Sequence, residues 1–361
     1  MTNREYAEMT YKKTVFGIGA AIAVATVAAT SAPAEIQSVD VNVLGSVSFL
    51  SSYKNYEQAF WNDRLPAASG GRIKATARGF DQMGLKGGEV LRLTGQGVVD
   101  ISTTVLGYTA ADDPRNEAAD LAGLAPTVDA AHAIAEAYEP VLDSYFADKY
   151  GVKVLATWPY PAQVFYCNSE IKDLSDIAGK KVRTGNRTLS EFVSALGGTG
   201  VTMAFADVIP ALQTGVVDCA ITGTLSGNSA KWFEVATHLY ALPVGWSTMV
   251  TAANLNFWNR LNPETQSFLQ AELNVLEDEI WKGAGEETQD GINCNVGAES
   301  CTVGVKADMT LVPVSDADRD LLDRITAEVI LPKWAERCGA DCVAEFNRTV
   351  GPIIGTTTEV H

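Results

Sequence analysis

The stretch that decides the fold runs from Gly179 to Gly223 and reads G-K-K-V-R-T-G-N-R-T-L-S-E-F-V-S-A-L-G-G-T-G-V-T-M-A-F-A-D-V-I-P-A-L-Q-T-G-V-V-D-C-A-I-T-G. A short apolar-polar run ends at Arg183, a T-G-N-R turn follows, and Phe192, Val193 and Leu196 then recur at helical spacing before Gly197-Gly198. Thr188 with Glu191 three residues later fits a capping box, and the glycine pair fits a helix stop. Val201 to Ala204 reads as a second strand, a second helix follows, and Val216 to Thr222 reads as a third strand. The whole is a βαβαβ unit. In such an open α/β sheet the ligand site lies beyond the carboxyl ends of the strands, where Arg183, Asn186, Phe205 and Thr222 fall. A guanidinium there, facing helix N-termini, suits a carboxylate.

Two pieces of this unit, D-I-A-G-K-K-V-R (176–183) and A-L-Q-T-G-V-V-D-C (211–219), resemble in order and spacing the DctP-type solute receptors of TRAP (tripartite ATP-independent periplasmic) transporters. The resemblance implies an α/β fold of the periplasmic binding protein type II-like class, with two lobes joined by hinge strands and a long helix laid across both. It also implies that Arg183 is the main carboxylate anchor. Further contacts are then expected from Asn186, Phe205, Thr222 and the first-domain loops, where Met83 and Thr104 fall. Gln163 stands where the sialic-acid branch of the family has a second arginine, which argues against a ligand with two strongly bound carboxylates. Phe49, Trp158, Tyr160 and Trp246 occupy plausible pocket-facing positions, where aromatic faces suit a flat or apolar ligand body; each is equally consistent with core. The expected ligand is a small monocarboxylate, an aromatic acid of the benzoate type ahead of a 2-oxo acid or a sugar acid. The expected partners are that acid and the TRAP permease subunits.

The remainder of the chain agrees with an exported two-domain protein. Of its 361 residues 47% are hydrophobic, enough to build a core in each of two domains. Arg4, Lys12 and Lys13 precede an uncharged run from Thr14 to Ala34 that closes on Ala32-Pro33-Ala34, the pattern of a secretory signal peptide cleaved near Ala34. An uncleaved anchor is the competing reading, since the run is long enough to span a bilayer. No later stretch is, so the expectation is a periplasmic protein with no membrane insertion after cleavage. Without residues 1–34 the chain has 24 basic against 42 acidic residues, a poor match for nucleic acid or anionic lipid. An anion site must therefore be made locally.

Six cysteines fit an oxidising compartment. Cys294 with Cys301, and Cys338 with Cys342, read as two local disulfides. Cys167 and Cys219 lie in apolar strand-like runs and fit either a third bridge or two buried thiols. A metal site is a weak alternative for the C-terminal four, because no C-x-x-C pair occurs and the histidines are only His132, His238 and His361. His132, on an Ala-rich helix, reads as structural. No cofactor is expected: the G-Q-G-V-V-D run (95–100) lacks the third glycine of a dinucleotide fingerprint and precedes its strand. No nucleophile elbow, zinc-protease motif or P-loop is present, so the chain is not read as an enzyme. The rival functions are the binding protein of an ABC uptake system, a sensor and, behind both, a periplasmic enzyme.

The lobe boundaries follow from the strand pattern. Residues 35–160, with parts of 255–361, form lobe I and residues 161–252 form lobe II. Strands are expected at Val41–Leu44, Arg72–Phe80 and 98–104, and a capped helix pair after Pro126 reaches Tyr150. Asn262-Pro263-Glu264 starts a helix that carries Leu269, Leu273, Leu276 and Ile280 on one stripe and runs to about Gln289. At ~1.5 Å per residue it is about 40 Å long, enough to lie across both lobes.

Overall fold

The computed structural model describes residues 35–360; the signal-peptide segment lies outside them. Eleven strands form two mixed sheets. The first holds β1 (Val39–Gly45), β2 (Ile73–Gly79), β3 (Ile101–Val105), β4 (Val152–Trp158) and β10 (Met249–Asn254), in the order β2-β1-β3-β10-β4. The second holds β5 (Gln163–Cys167), β6 (Lys181–Thr184), β7 (Thr199–Thr202), β8 (Cys219–Gly223), β9 (His238–Tyr240) and β11 (Thr310–Val312), in the order β11-β9-β5-β8-β6-β7. This is the two-lobed α/β architecture of the binding-protein class. The chain passes between the sheets three times, through residues 159–162, through 241–248 and through the long stretch 255–309 that leads to β11.

The strands at the centre of each sheet are buried end to end, as β3, β5, β8 and β10 show, because helices cover both faces. Around Arg183 the chain runs as expected: β6 pairs in parallel with β7 and with β8, each reached through a helix crossover. Three details differ. The helix Arg187–Ala195 is capped by Asn186, whose side chain accepts from the Leu189 N–H at 2.9 Å, and not by a Thr188–Glu191 box. Thr188 Oγ1 instead accepts from Ala122 N (3.2 Å), and Glu191 pairs with Arg337 at 2.6 Å. Asn186 wins because its extended backbone, two residues before Thr188, already aims a good capping carbonyl at the free N–H groups. The third strand starts later than its apolar run does: Gly215 has φ +69° and the chain turns before it enters β8 at Cys219. After Pro126 there is one helix, Val128–Tyr150, with Pro140 inside it, rather than a pair; Thr127 caps its start and Gly151, in the left-handed conformation, its end.

All six cysteines are bridged. Cys294–Cys301 and Cys338–Cys342 pair as expected, and Cys167–Cys219 form the third bridge, the two residues standing opposite each other in the antiparallel β5–β8 pair. The long helix, Pro263–Asn295, starts on the Asn262 cap and runs six residues beyond Gln289. Its Leu269, Leu273, Leu276 and Ile280 pack into the core beneath the first sheet. Its far end meets the second: the Asn295 side chain donates to the Tyr166 hydroxyl (2.8 Å) and to the Thr224 carbonyl (3.0 Å). No helix among the described residues is long and apolar enough to cross a membrane.

Candidate functional site

β6 delivers Arg183 to the edge of the second sheet, and its side chain is then pinned from three directions. Nε and Nη2 donate to the Met203 carbonyl (3.1 and 2.9 Å), and Nη1 donates to the Ile221 carbonyl at 2.8 Å. The guanidinium carbon lies 5.9 Å from the Phe205 ring centre and 5.8 Å from that of Trp232. The residue is 2% exposed, yet no carboxylate comes within ion-pairing distance among the described residues. Its one acidic neighbour, Asp207, is engaged by Lys86 at 2.9 Å. Burial pushes the guanidinium pKa down, opposed by Tyr108 and by Asp207. A guanidinium carries five N–H donors, of which three are spent on two carbonyls. A cation left buried without an opposite charge costs several kcal/mol, so this one is poised for an anion.

The cavity that Arg183 lines has walls from both sheets' loops. Val47, Leu50, Val105 and Tyr108 come from the first; Gln163, Gly185, Asn186, Phe205, Thr222 and Ser226 come from the second; Tyr160 and Ser247 come from the connections 159–162 and 241–248. Its volume is about 20 Å³, room for a water or two. The surrounding loops are held by one buried carboxyl group, Glu57, and two half-buried ones, Asp81 and Asp120. Glu57 accepts from the Ser46 N–H (3.0 Å) and from the Ser46 hydroxyl, and Asp81 accepts from the Ser48 N–H (2.7 Å) and hydroxyl (2.6 Å). Asp120 accepts from the N–H groups of Trp246 (2.8 Å) and Thr248 (3.3 Å), which fixes the returning connection. Burial raises the carboxyl pKa of Glu57 to about 7 and that of Asp120 to about 7, against the hydrogen bonds that pull each down.

Of the residues singled out from the sequence, Arg183, Asn186, Gln163, Phe205, Thr222 and Tyr160 come together on this cavity. Phe49 lies next to it, lining an adjoining apolar space and stacking on Phe205 with ring centres 6.0 Å apart. The other four stand elsewhere. Trp158 is core beneath the first sheet, and Trp246 is core with its Nε1 donating to the Ala125 carbonyl at 3.0 Å. Thr104 donates its hydroxyl to the Gly87 carbonyl (2.8 Å), and Met83 is 51% exposed on a surface turn. Tyr108, Ser226, Ser247 and Trp232 belong to the site without having been singled out. Ser247 carries one signal, a positive φ (+48°) in a non-glycine residue, but that is visible only in the backbone. His132 stacks on Trp281 (4.5 Å between ring centres), a packing role. Among the described residues no group of three His, Cys, Asp or Glu side chains is placed to hold a metal ion.

Comparison with known proteins bears on this geometry. Residues 48–303 match the model of the DctP family, described as bacterial extracellular solute-binding protein, family 7. Over 148 residues the chain is 29% identical to the ectoine-binding periplasmic protein TeaA of Halomonas elongata, covering 40% of this chain and 43% of that one. Over 188 residues it is 27% identical to the C4-dicarboxylate-binding periplasmic protein DctP of Rhodobacter capsulatus, covering 50% and 56%. The chain thus spans about half the length of these curated relatives. Its fold is that of DctP7, a Bordetella pertussis extracytoplasmic solute receptor binding pyroglutamic acid (TM-score 0.77, 21% identity, 87% of this chain and 99% of that one). It is equally that of a TRAP periplasmic solute binding protein from Desulfovibrio salexigens with bound orotic acid (TM-score 0.76, 17% identity, 87% and 99%). The chain belongs to the DctP family, family 7 of the bacterial extracellular solute-binding proteins.

Proposed function

We propose that the chain is the extracytoplasmic solute receptor of a TRAP transporter, that it captures a small organic acid through one carboxylate on Arg183, and that it hands the acid to membrane permease subunits. The observation that carries this reading is the buried Arg183 guanidinium, which lines a cavity between the two sheets with no acidic partner. Gln163, neutral where a second cation would stand, favours a single strongly bound carboxylate. The acids named for the Bordetella and Desulfovibrio receptors support an anionic ligand. Trp158 and Trp246 lie away from the cavity, which removes much of the case for a large aromatic body and favours a compact acid. An exported receptor fits a leader in residues 1–34 cleaved near Ala34, and fits relatives named as periplasmic.

Capture needs motion. A cavity of about 20 Å³ is too tight to admit an organic acid, so loading requires the lobes, 35–160 with parts of 255–361 and 161–252, to part about the connections 159–162 and 241–248. Carboxylate pairing then favours the closed form, and no chemistry on the acid is required. The test is calorimetric titration with the acid that most raises the melting temperature in a library screen. Arg183→Ala is expected to lose at least tenfold in affinity and all ligand-induced thermal stabilisation, since a hydrogen bond to a charged group is worth about 1.5–3 kcal/mol. Unchanged affinity in that variant refutes the anchor, and conversion of the acid to another product refutes the receptor.

A further inference from the structure

The connection 159–162 is held at both of its ends by the long helix. At the far end Ala162 donates its N–H to Thr288 Oγ1 (2.9 Å). At the near end stands Thr157, a buried residue one short of the end of β4, and each of its polar groups is engaged. Its N–H donates to Glu277 Oε1 (2.7 Å) and its carbonyl accepts from Trp281 Nε1 (2.7 Å), both on the long helix. Its hydroxyl oxygen lies 3.2 Å from Glu277 Oε1 and 3.2 Å from Oε2 of Glu139, which the helix Val128–Tyr150 supplies. Two half-buried carboxyl groups from two helices therefore converge on one hydroxyl.

A hydroxyl has a single hydrogen, so it serves only one of two carboxylates as a full donor. The second carboxyl either faces the hydroxyl's lone pairs as an anion, which repels, or donates a proton of its own to them. The cation that acts on Glu139, Lys153, is taken by Asp143 at 2.7 Å. The other charged groups acting on the pair are acidic, Glu136 and Asp143 on Glu139 and Asp278 on Glu277, while His132 stacks on the Trp281 ring beside them. Burial, and after it the charge of Glu139, raises the Glu277 carboxyl to about 8, and burial raises that of Glu139. Carboxyls that act on each other in this way titrate as a pair, the first ionisation making the second harder. We propose that Glu139 and Glu277 hold one proton between them at the Thr157 hydroxyl, that this proton straps the start of the connection 159–162 to both helices, and that its loss above neutral pH frees the connection and lets the lobes part more readily. The effect on the lobes rests on the reading that they part about this connection; the strap itself does not.

The test is hydrogen exchange of the Thr157 amide in the ligand-free protein at pH 6 and pH 9, corrected for the chemical exchange rate and referred to the mean of the β1 amides, which removes any change in global stability. In the wild type the relative protection of Thr157 is expected to fall at least about fivefold between the two, because the strap is lost with its proton. Glu277→Gln keeps an acceptor for the Thr157 N–H and offers the hydroxyl a permanent N–H donor, so it imitates the protonated acid at both pH values and its protection should hold within about twofold. Glu139→Gln removes the like charge and should flatten the response equally. Wild-type protection that does not fall, or a fall that persists in Glu277→Gln, overturns the strap. A fall that persists in Glu139→Gln alone assigns the proton to Glu277 by itself and overturns the sharing. Small-angle scattering of the same samples reads the lobes: the radius of gyration should grow from pH 6 to pH 9 in the wild type and not in Glu277→Gln. A constant radius with the exchange response intact keeps the strap and overturns its control of the lobes.

Discussion

Asn186 serves two purposes that can be pulled apart by one atom. Its Oδ1 caps the helix Arg187–Ala195 at 2.9 Å, and its side chain packs so closely across the cleft that a Cβ on Gly107 would sit 3.1 Å from Asn186 Cβ. Asn186→Ala removes the cap and should cost about 1 kcal/mol in urea unfolding. Asn186→Asp keeps the cap, so its unfolding free energy should stay within ~0.5 kcal/mol of wild type, but it puts an anion on the wall that Arg183 shares. Its affinity for the tightest acid of a screen should fall at least tenfold, and wild-type affinity in Asn186→Asp would remove this residue from the site. Asn186 was legible because strand-end positions in a βαβ unit converge on one spot, and the same holds for Arg183, Phe205 and Thr222. Tyr108, Ser247 and Trp232 were not, because they arrive from loops whose course depends on distant contacts. Trp158 and Trp246 show the opposite error: at the end of β4 successive side chains face opposite ways and Trp158 faces the core, while Trp246, on the connection 241–248, packs into the core with its Nε1 on the Ala125 carbonyl.

Elements meet through close approaches that periodicity does not reveal. The stripe Leu269, Leu273, Leu276 and Ile280 announced the long helix and its buried face, yet its contact with the second sheet's layer runs through Gly291, where any Cβ would collide with the backbone of Thr224 and Leu225. Alanine favours a helix over glycine by about 1 kcal/mol, so the helix by itself would gain from either glycine's replacement. At Gly285 the nearest atom to an added Cβ is a Val128 methyl at 3.5 Å, ordinary contact distance. Gly285→Ala should therefore raise the free energy of unfolding by up to about 1 kcal/mol, while Gly291→Ala should lower it by about 1–3 kcal/mol because backbone must move. Similar effects of the two substitutions would mean that Gly291 is not a packing constraint. The sequence reading placed a helix pair where the single helix Val128–Tyr150 runs: tertiary packing of Ile134, Tyr138, Val141 and Phe146 holds one continuous helix through Pro140.

At the scale of the whole molecule, the acid-rich composition and the two-sheet architecture combine into a pH dependence of stability. Four buried or half-buried carboxyl groups stand well above their ordinary range: Glu57 at about 7, Asp120 at about 7, Glu277 at about 8 and Glu287 at about 7. Burial is the largest cause in each, with Glu139 adding to it at Glu277 and Asp290 at Glu287. A carboxyl with a raised folded-state pKa holds its proton more tightly folded than unfolded. Its contribution is full below the ordinary carboxyl range near 4 and is lost as pH rises through 7 to 8. The net charge of −17 at pH 7 acts in the same direction, since self-repulsion grows as further carboxyls ionise. Each tenfold difference in proton affinity is worth about 1.4 kcal/mol, so stability should fall between pH 5 and pH 8. Urea midpoints across that range should fall steadily, and Glu277→Gln, which removes the group with the highest of these values, should flatten the slope near pH 8. A midpoint that rises from pH 5 to pH 8 would show that these carboxyls are held ionised by their hydrogen bonds, with Glu57 and Asp120 fixing their loops as anions.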